Sequence, residues 1–139
     1  MIYKYSKGYF EVIEMIKIKS ILDKKSEKDG SRICVMRFVK DFYDYDEWLR
    51  ELAPSIELLN DSRKKKIDWN GYVERYLREM DNKKELIEKL KGRSDKGEII
   101  TLLCWEKDDR FCHRRLLKEL IERLILFDLS VVKSLSKTR

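Results

Sequence analysis

Two cysteines, the only histidine of the chain and several charged residues lie close together in the stretch LLCWEKDDRFCHRR, residues 102–115. An apolar run ends at Cys104, and Cys112, His113 and Arg114 follow a short polar segment. A deprotonated thiol is a nucleophile, an imidazole with a reference pKa of about 6.5 exchanges protons near neutral pH, and a guanidinium can hold an anion through two hydrogen bonds. These residue types therefore indicate an anion-binding site with thiol chemistry.

Each of these residues can be given a role in an enzyme. Cys112 or Cys104 would be the nucleophile, His113 its proton partner, and the carboxylate of Glu106 would orient one of them. If Cys112 lies in the first turn of a helix, the free backbone N–H groups and the helix dipole favour its thiolate. We therefore predict that Cys112 has the lowest pKa of the thiols in the chain.

Two other interpretations of this stretch remain open. The spacing of Cys104 and Arg110 matches a phosphatase loop, in which a thiolate attacks phosphorus while backbone amides and the arginine hold the oxygens. Such loops usually contain glycine, whereas the intervening WEKDD carries acids and no glycine, which disfavours this interpretation. In a purely structural interpretation, Asp108 or Asp109 caps a helix and a cysteine is buried beneath it.

Zinc is a further alternative, because Cys104, Glu106, Cys112 and His113 all have side chains that bind zinc in proteins. Neighbouring residues such as Cys112 and His113 rarely bind one structural zinc ion, and the sequence has no C-x2-C pair. We therefore expect no metal and no cofactor. The chain has 3 cysteines, an odd number at irregular spacing, so we expect reduced thiols rather than a disulfide framework.

Hydrophobic periodicity predicts the elements that position these residues. Strands are expected in MIKIKSIL (15–22), RICVMRFV (32–39) and EIITLLC (98–104), and helices in DYDEWLREL (44–52), DWNGYVERYLREM (68–80), NKKELIEKLKG (82–92) and residues 110–127. The strand 98–104 should be central in its sheet, because it is a nearly continuous apolar run. Cys34 should be a core residue, and Trp48 should point inward from its helix.

Strand, helices, a further strand and a final helix predict one small α/β domain, with a mixed or mainly parallel sheet flanked by helices. The length of 139 residues also favours a single domain. Residues 1–14 are expected to be an N-terminal extension, with 9–15 either a helical turn or the lead-in to a strand, and residues 128–139 a C-terminal tail. Cys104 would then lie at the carboxyl end of a buried strand, where open α/β sheets bind ligands.

Charge and hydropathy limit the classes of function. The net charge is +6, and the densest basic run is DSRKKK, whose basic residues are Arg63, Lys64, Lys65 and Lys66. Charged residues make up 42% of the chain, a content typical of ion-pair-rich proteins from thermophiles. No apolar run is long enough to span a membrane and the first residues lack a signal-peptide core, so a cytoplasmic protein without membrane association is expected.

Three segments resemble the domain of unknown function 488 (DUF488) family. They are ELAPSIELL, IDWNGYVERYLREM and ITLLCWEKDDRFCHRRLLKEL, and they resemble the A-P-S segment, the W-x-x-Y-x-x-x-Y helix and the closing L-L-C-x-E…C-H-R motif of that family. The resemblance covers about residues 15–125. It implies an α/β fold and a shared pocket near the C-H-R motif, and it groups Cys104, Glu106, Cys112, His113 and Arg114 in one motif.

The leading hypothesis is a protein that binds a small anionic ligand, such as a nucleotide, a phosphate or a nucleic-acid end, at the carboxyl edge of the sheet. Arg114 would fix the anion, and Arg37 would reach the same edge from the neighbouring strand. The alternative is a non-catalytic module that binds nucleic acid or another protein through its basic surface, with Arg63 and the three lysines after it as the contact residues. The oligomeric state is left open.

Overall fold

The computed structural model describes residues 2–6 and 8–123. The elements are β1 (Ile2–Ser6), β2 (Tyr9–Ile13), β3 (Ile16–Ser20), β4 (Ser31–Cys34), β5 (Glu47–Trp48), α1 (Ile56–Arg63), α2 (Trp69–Met80), α3 (Lys84–Asp95), β6 (Ile100–Cys104) and α4 (His113–Arg123). Short 3-10 turns are formed by Glu27–Asp29, Arg50–Leu52 and Asp81–Lys83. No helix in this part of the chain is both long and apolar enough to cross a membrane.

The described strands form an antiparallel hairpin, β1 with β2, and a parallel sheet of order β3-β6-β4-β5. Every residue of β6 is buried, and this strand pairs with β3 on one side and β4 on the other. The predicted α/β fold and the central position of the strand 98–104 are thus confirmed. Residues 9–13 form a strand, so the helical alternative for 9–15 is wrong. The predicted tail, 128–139, lies outside the described residues, as does the expected end of α4.

Helices α2 and α4 supply much of the main hydrophobic core. The buried residues of α2 are Tyr72, Val73, Tyr76, Leu77 and Met80, and those of α4 in the same core are Leu116, Leu117, Leu120 and Ile121. The aromatic residues Tyr72 and Tyr76 of α2 thus belong to a packing face of this helix. Cys34 is fully buried, in a smaller cluster with Ile21 and Leu103, as its position in an apolar strand predicts.

The predicted helix 44–52 is wrong, because the backbone of residues 46–49 bonds to β4. Asp46 N donates to Arg32 O at 2.8 Å, and Leu49 N donates to Cys34 O at 2.9 Å. The segment therefore adds β5 as an edge strand, followed by a 3-10 turn. Trp48, expected to point inward, is 38% exposed, and its Nε1 donates to the carbonyl of Met36.

The strand predicted over 32–39 is shorter than expected, because β4 ends at Cys34 and the chain leaves the sheet after Val35 donates to Leu103 O. Gly30 precedes β4 with a φ of 63°, and a Cβ there would lie 2.1 Å from Ile99 O. Glycine is the residue that allows these backbones to approach so closely. Its position brings β4 alongside the residue that precedes β6.

A buried charged cluster centred on Asp29 fixes the chain before β4. The Asp29 carboxylate accepts hydrogen bonds from Arg32 Nη1 at 2.6 Å, Lys19 Nζ at 3.0 Å and Ser26 N at 3.0 Å. Burial by itself raises the pKa of Asp29, but the hydrogen bonds from Ser26, Lys19 and Arg32 outweigh it, so the pKa is lowered. Arg32 is fully buried, and its Nε donates to the carbonyl of Asp44. We call Asp29, Lys19 and Arg32 the charge cluster.

Candidate functional site

The residues of the closing motif meet where the carboxyl end of β6 faces the start of α4. Ile21 N donates to Cys104 O at 2.8 Å, so the chain after β3 continues to pair with the last residue of β6. The helix α4 begins at His113, and Cys112 immediately precedes it. Cys112 N donates to Asp109 O at 3.3 Å, and Arg115 N donates to Cys112 O at 3.2 Å. The loop between β6 and α4 thus returns the second cysteine to the end of the strand.

Asp108, one of the two acidic residues expected to cap α4, bonds within the loop instead. The Asp108 carboxylate accepts from the backbone N of Arg110 at 2.9 Å and also from the Arg110 guanidinium. It therefore closes a turn within the loop, several residues before the helix begins. The pKa of Asp108 is lowered, chiefly by its hydrogen bond with the Arg110 side chain.

All the predicted catalytic residues come together in one group. The thiols of Cys104 and Cys112 both donate to Glu106 Oε2, at 3.1 and 3.4 Å. The His113 Nδ1 atom lies 3.8 Å from the sulfur of Cys104 and 3.9 Å from that of Cys112. Glu106 is exposed, whereas Cys104, Cys112 and His113 are only 5%, 3% and 5% exposed. We call these residues the thiol cluster.

The hydrogen bond between His113 and Val35 determines which ring nitrogen offers a lone pair to the thiols. His113 Nε2 lies 2.7 Å from the carbonyl oxygen of Val35. Because a carbonyl oxygen only accepts, Nε2 must carry a hydrogen, and in the neutral ring Nδ1 is then the acceptor. Burial lowers the pKa of His113, but the neighbouring Cys112, the Val35 carbonyl and Glu106 raise it, and the net pKa is raised. The ring is therefore suited to take a thiol proton at Nδ1.

The pKa shifts in the cluster reverse one expectation. The pKa of Cys112 is raised well above its ordinary value, by its hydrogen bond with Cys104 and by burial. The pKa of Cys112 is thus shifted in the direction opposite to the expected one, because the loop carries this thiol into contact with a second sulfur and away from water. Burial raises the pKa of Glu106, but hydrogen bonds from Cys104 and Cys112 outweigh that effect, so its carboxyl pKa is lowered. Glu106 is ionised at neutral pH and accepts a hydrogen bond from each thiol.

The thiol cluster opens onto a cavity of about 410 Å³. Its lining residues come from the end of β6, the loop after β4, helices α1 and α2, and the start of α4. They are Met36, Arg37, Phe38, Pro54, Leu59, Ser62, Arg63, Tyr72, Cys104, Trp105, Glu106, Phe111, Cys112 and His113. A cavity of this size accommodates a small organic ligand.

The two arginines predicted to bind an anion differ in position. Arg37 lines the cavity, and its guanidinium donates to the carbonyls of Pro54 at 3.0 Å and Ala53 at 3.1 Å. Arg114 is 1% exposed and does not line this cavity. Its Nε and Nη1 atoms have no hydrogen-bond partner within the part of the chain that the structure describes. Arg37 thus belongs to the cavity wall, whereas Arg114 is a buried cation behind the cluster.

The basic run is exposed along its length, and its first arginine also reaches the cavity. Arg63 is the last residue of α1 and lines the cavity, whereas Lys64, Lys65 and Lys66 lie outside its wall. Lys65 has a φ of 56°, so the chain turns sharply as it leaves the helix. A cation that was assigned to a surface patch is therefore part of the site.

Sequence reasoning did not select the aromatic residues of the cavity. Phe38, Trp105 and Phe111 are 61%, 49% and 52% exposed, although each has a large apolar ring. The signal that could have found them is their position in polar segments, since Trp105 and Phe111 lie inside the closing motif and Phe38 directly follows Arg37. An aromatic residue in a polar loop has no core to join and is more often a contact residue.

The same cluster has the donor set of a metal site. One ligand atom from each of Cys104, Cys112 and His113 lies within 4.8 Å of the other two. Among the residues that the structure describes, this is the group of His, Cys, Asp or Glu side chains close enough to share a metal ion. The Val35 carbonyl orients the imidazole as outer hydrogen-bond partners do in zinc proteins. These residues can hold a soft divalent cation such as Zn²⁺, so the expected absence of metal stays a prediction to be tested.

Comparisons with known proteins connect this geometry to a family. No curated protein and no solved structure matches the chain. A family model described as the active DUF488-N3 subclade matches residues 16–124, which include the parallel sheet, its helices and the thiol cluster. Because the match spans well over half of the sequence, the chain belongs to the DUF488 family.

Proposed function

We propose that this protein binds a small anionic ligand in the cavity at the carboxyl edge of the sheet and acts on it through a thiol. The observation that carries the proposal is the composition of one cavity wall, which includes two guanidinium groups and the whole thiol cluster. Cations would hold a nucleotide, a phosphate or a nucleic-acid end while a nucleophile and a proton acceptor lie beside it. The matching family model is itself described as an active subclade, in keeping with a chemical role.

Cys104 is the thiol to which we assign the nucleophilic role. Its sulfur lies 3.1 Å from the Glu106 carboxylate and 3.8 Å from His113 Nδ1. Proton transfer from Cys104 to Nδ1 would give a thiolate–imidazolium pair with no net charge. Cys112, whose pKa is raised, would donate a hydrogen bond to that thiolate.

The anion would be held by arginines of two kinds. Arg63 is exposed at the end of α1 and is free to turn toward a ligand, whereas Arg37 is fixed by the carbonyls of Ala53 and Pro54. The buried Arg114 would add positive potential behind the cluster, since its charge is screened little by water. The cysteines are all free thiols, so this role fits a reducing compartment, and we propose the cytoplasm.

A second candidate function is favoured by one observation, the continuity of the basic run with the cavity. Arg63 lines the cavity, and the exposed Lys64, Lys65 and Lys66 continue outward from it. A polyanion whose end entered the cavity would meet these lysines along its backbone. In this alternative the protein is a nucleic-acid-binding module without catalysis.

Calorimetric titration of the full chain with inorganic phosphate and pyrophosphate tests the proposal. We expect Arg63→Gln to weaken binding by about tenfold, because a charge-assisted hydrogen bond contributes about 1.5–3 kcal/mol. Arg78→Gln is the matched control, since Arg78 is exposed and pairs with Glu74 away from the cavity. Absence of binding for either anion, or equal losses in the two variants, would contradict an anion site here.

A further inference from the structure

We infer that the anionic ligand is a nucleoside phosphate whose base stacks on the exposed aromatic rings of the cavity. The inference rests on the proposed function and names the ligand class of the same site. Its basis is that three large exposed rings, Phe38, Trp105 and Phe111, line the one cavity that also holds Arg37 and Arg63.

These three rings lie outside both hydrophobic core clusters. Tyr72 and Tyr76, on the core face of α2, are 8% and 0% exposed, whereas the cavity rings leave about half of their surface in water. Exposed aromatic surface is unfavourable unless a partner covers it, and a contiguous apolar patch with a polar rim marks a binding site. A bare phosphate cannot cover such a surface, but a planar base can.

The rings come from the two loops that border the thiol cluster. Trp105 and Phe111 begin and end the polar part of the loop between β6 and α4, and Phe38 lies in the loop after β4. Phe38 and Trp105 also line a second cavity together, so these two rings lie near each other. Phe111 meets the Trp69 ring edge-on at 5.4 Å, so its ring is held in place.

The charges of the site complete a nucleotide-binding set. Arg63 and Arg37 are cations suited to a phosphate, and the hydroxyl of Ser62 lines the same wall. The combination of aromatic faces with guanidinium groups is the one by which proteins hold single nucleotides and unpaired bases. The volume of about 410 Å³ lies within the range of small-ligand sites and can enclose one nucleotide unit.

Two sources can supply this ligand, a free mononucleotide or the terminal nucleotide of a single strand. The chemistry recognised in the cavity is the same for both. They differ in the phosphates beyond the first, which only a strand presents to Lys64, Lys65 and Lys66 outside the cavity.

The first experiment compares the four ribonucleoside 5′-monophosphates with ribose 5-phosphate by calorimetric titration of the full chain. We expect at least one nucleotide to bind about tenfold or more tightly than ribose 5-phosphate, because base stacking on an aromatic ring contributes that much. Trp105→Leu and Phe111→Leu should remove most of this advantage while leaving ribose 5-phosphate binding unchanged. Phe42→Leu is the matched control, because Phe42 is 75% exposed but does not line the cavity.

The outcomes separate this inference from the proposed function. Equal affinities for nucleotides and ribose 5-phosphate would overturn the nucleoside inference and leave anion binding intact, and so would a nucleotide preference that neither leucine variant changes. Failure of every phosphate to bind would overturn both. Circular dichroism spectra of the variants should match the wild-type spectrum, which excludes misfolding as the cause of a loss.

A second titration identifies the source, using a five-nucleotide single strand that ends in the preferred nucleotide. If the ligand is a strand, the logarithm of the binding constant should fall by about 0.7 per phosphate contact for each tenfold rise in salt concentration. The triple variant Lys64→Gln/Lys65→Gln/Lys66→Gln should reduce that slope. If the ligand is a free mononucleotide, the strand should bind no more tightly than the monophosphate, and the triple variant should change neither affinity. Strand binding that withstands both leucine variants would overturn recognition of the base in this cavity.

Discussion

The charge cluster and the thiol cluster both place ionisable groups beside the central strands, but their surroundings differ. Asp29 is 3% exposed, and three donors from Ser26, Lys19 and Arg32 converge on it. In the thiol cluster, the carboxylate belongs to the exposed Glu106, and its two thiol donors line an open cavity. The first carboxylate is enclosed by its partners, whereas the second is accessible to a ligand.

This difference separates a structural from a chemical use of polar groups. A buried carboxylate that binds a buried guanidinium fixes two backbone segments, and removal of either partner leaves an uncompensated charge. In the thiol cluster, the two sulfur atoms lie 3.1 and 3.4 Å from the Glu106 carboxylate and 3.8 and 3.9 Å from His113 Nδ1. Hydrogen bonds of this kind are weak and can be exchanged for contacts with a ligand. Perturbed ionisable groups that face a cavity are candidates for function, while those enclosed by partners stabilise the fold.

The largest expected effect is on stability, in a matched pair of variants, Asp29→Asn and Glu106→Gln. Asp29→Asn leaves the fully buried Arg32 without its countercharge, so we expect the free energy of unfolding to fall by about 3–5 kcal/mol. Glu106→Gln should cost about 1 kcal/mol or less, because Glu106 is exposed and can be replaced by water as an acceptor. Urea denaturation of both variants measures the difference.

The pH dependence of the same pair gives a control. The pKa of Asp29 lies below its ordinary value of 3.8, so its contribution to stability is fully present above the unfolded-state pKa and is lost as the pH falls through the folded-state pKa. The stability gap between the wild type and Asp29→Asn should therefore persist from neutral pH down to about 3.8 and close below it. A gap that closes already near neutral pH would show that the Asp29 carboxylate is not held by the charge cluster.

The next effect concerns the relative reactivity of the thiols. We expect iodoacetamide at neutral pH to modify Cys104 faster than Cys112, because the raised pKa of Cys112 reduces the fraction of this thiol that is present as the reactive thiolate. The pKa of Cys34 is raised by burial, and its side chain is fully buried, so it should react most slowly. Mass spectrometry of the alkylated peptides over time gives the rates, and the urea-unfolded chain, in which the thiols should react alike, is the control.

If Cys112 reacts first, the two cysteines exchange the roles assigned here. That result would restore the expectation from the sequence and would show that the first turn of α4 outweighs the contact between the sulfurs. If Cys104 and Cys112 react equally slowly, the thiol cluster has a structural role, as the charge cluster does.

The smallest expected effect concerns metal content: we expect the purified protein to contain no stoichiometric zinc. We predict that elemental analysis of the purified protein shows no 1:1 metal, since both thiols of the cluster keep their protons and donate hydrogen bonds to Glu106. A zinc content of one per chain that disappears in Cys112→Ser would assign Cys104, Cys112 and His113 to a metal site. Cys104 would then be a ligand of the metal and not the nucleophile.

Several parts of the fold could be predicted from local pattern. The run of apolar residues before Cys104 predicts a central strand, because only a strand buried on both faces tolerates such a run, and Ile100–Cys104 occupies that position. The stripe from Trp69 to Met80 predicts a core-facing helix through its helical spacing. The motif also grouped the cysteines, the histidine and the glutamate correctly, because a strand end and a helix start that are joined by a short loop must lie close together.

Other features depend on contacts between segments that are distant in sequence. Residues 44–52 have a helical pattern, but their backbone groups bond to β4, and a local pattern does not reveal such a partner. Arg114 follows His113 directly, yet it is buried away from the cavity wall, because successive residues of a helix point in different directions. Arg63 was assigned to a surface run, and only the packing of α1 places it at the cavity.

The sequence by itself determined which reactive residues lie close together along the chain and that strands and helices alternate along it. Both follow from hydrophobic periodicity and short loops, which act locally. The tertiary structure decided the chemistry of those residues. Cys112 acquired a raised pKa from Cys104, and His113 acquired a fixed tautomer from the carbonyl of Val35, 78 positions away in sequence. A pKa and a tautomer depend on burial and on through-space partners, so they follow from the fold as a whole and not from the residue or its neighbours in the chain.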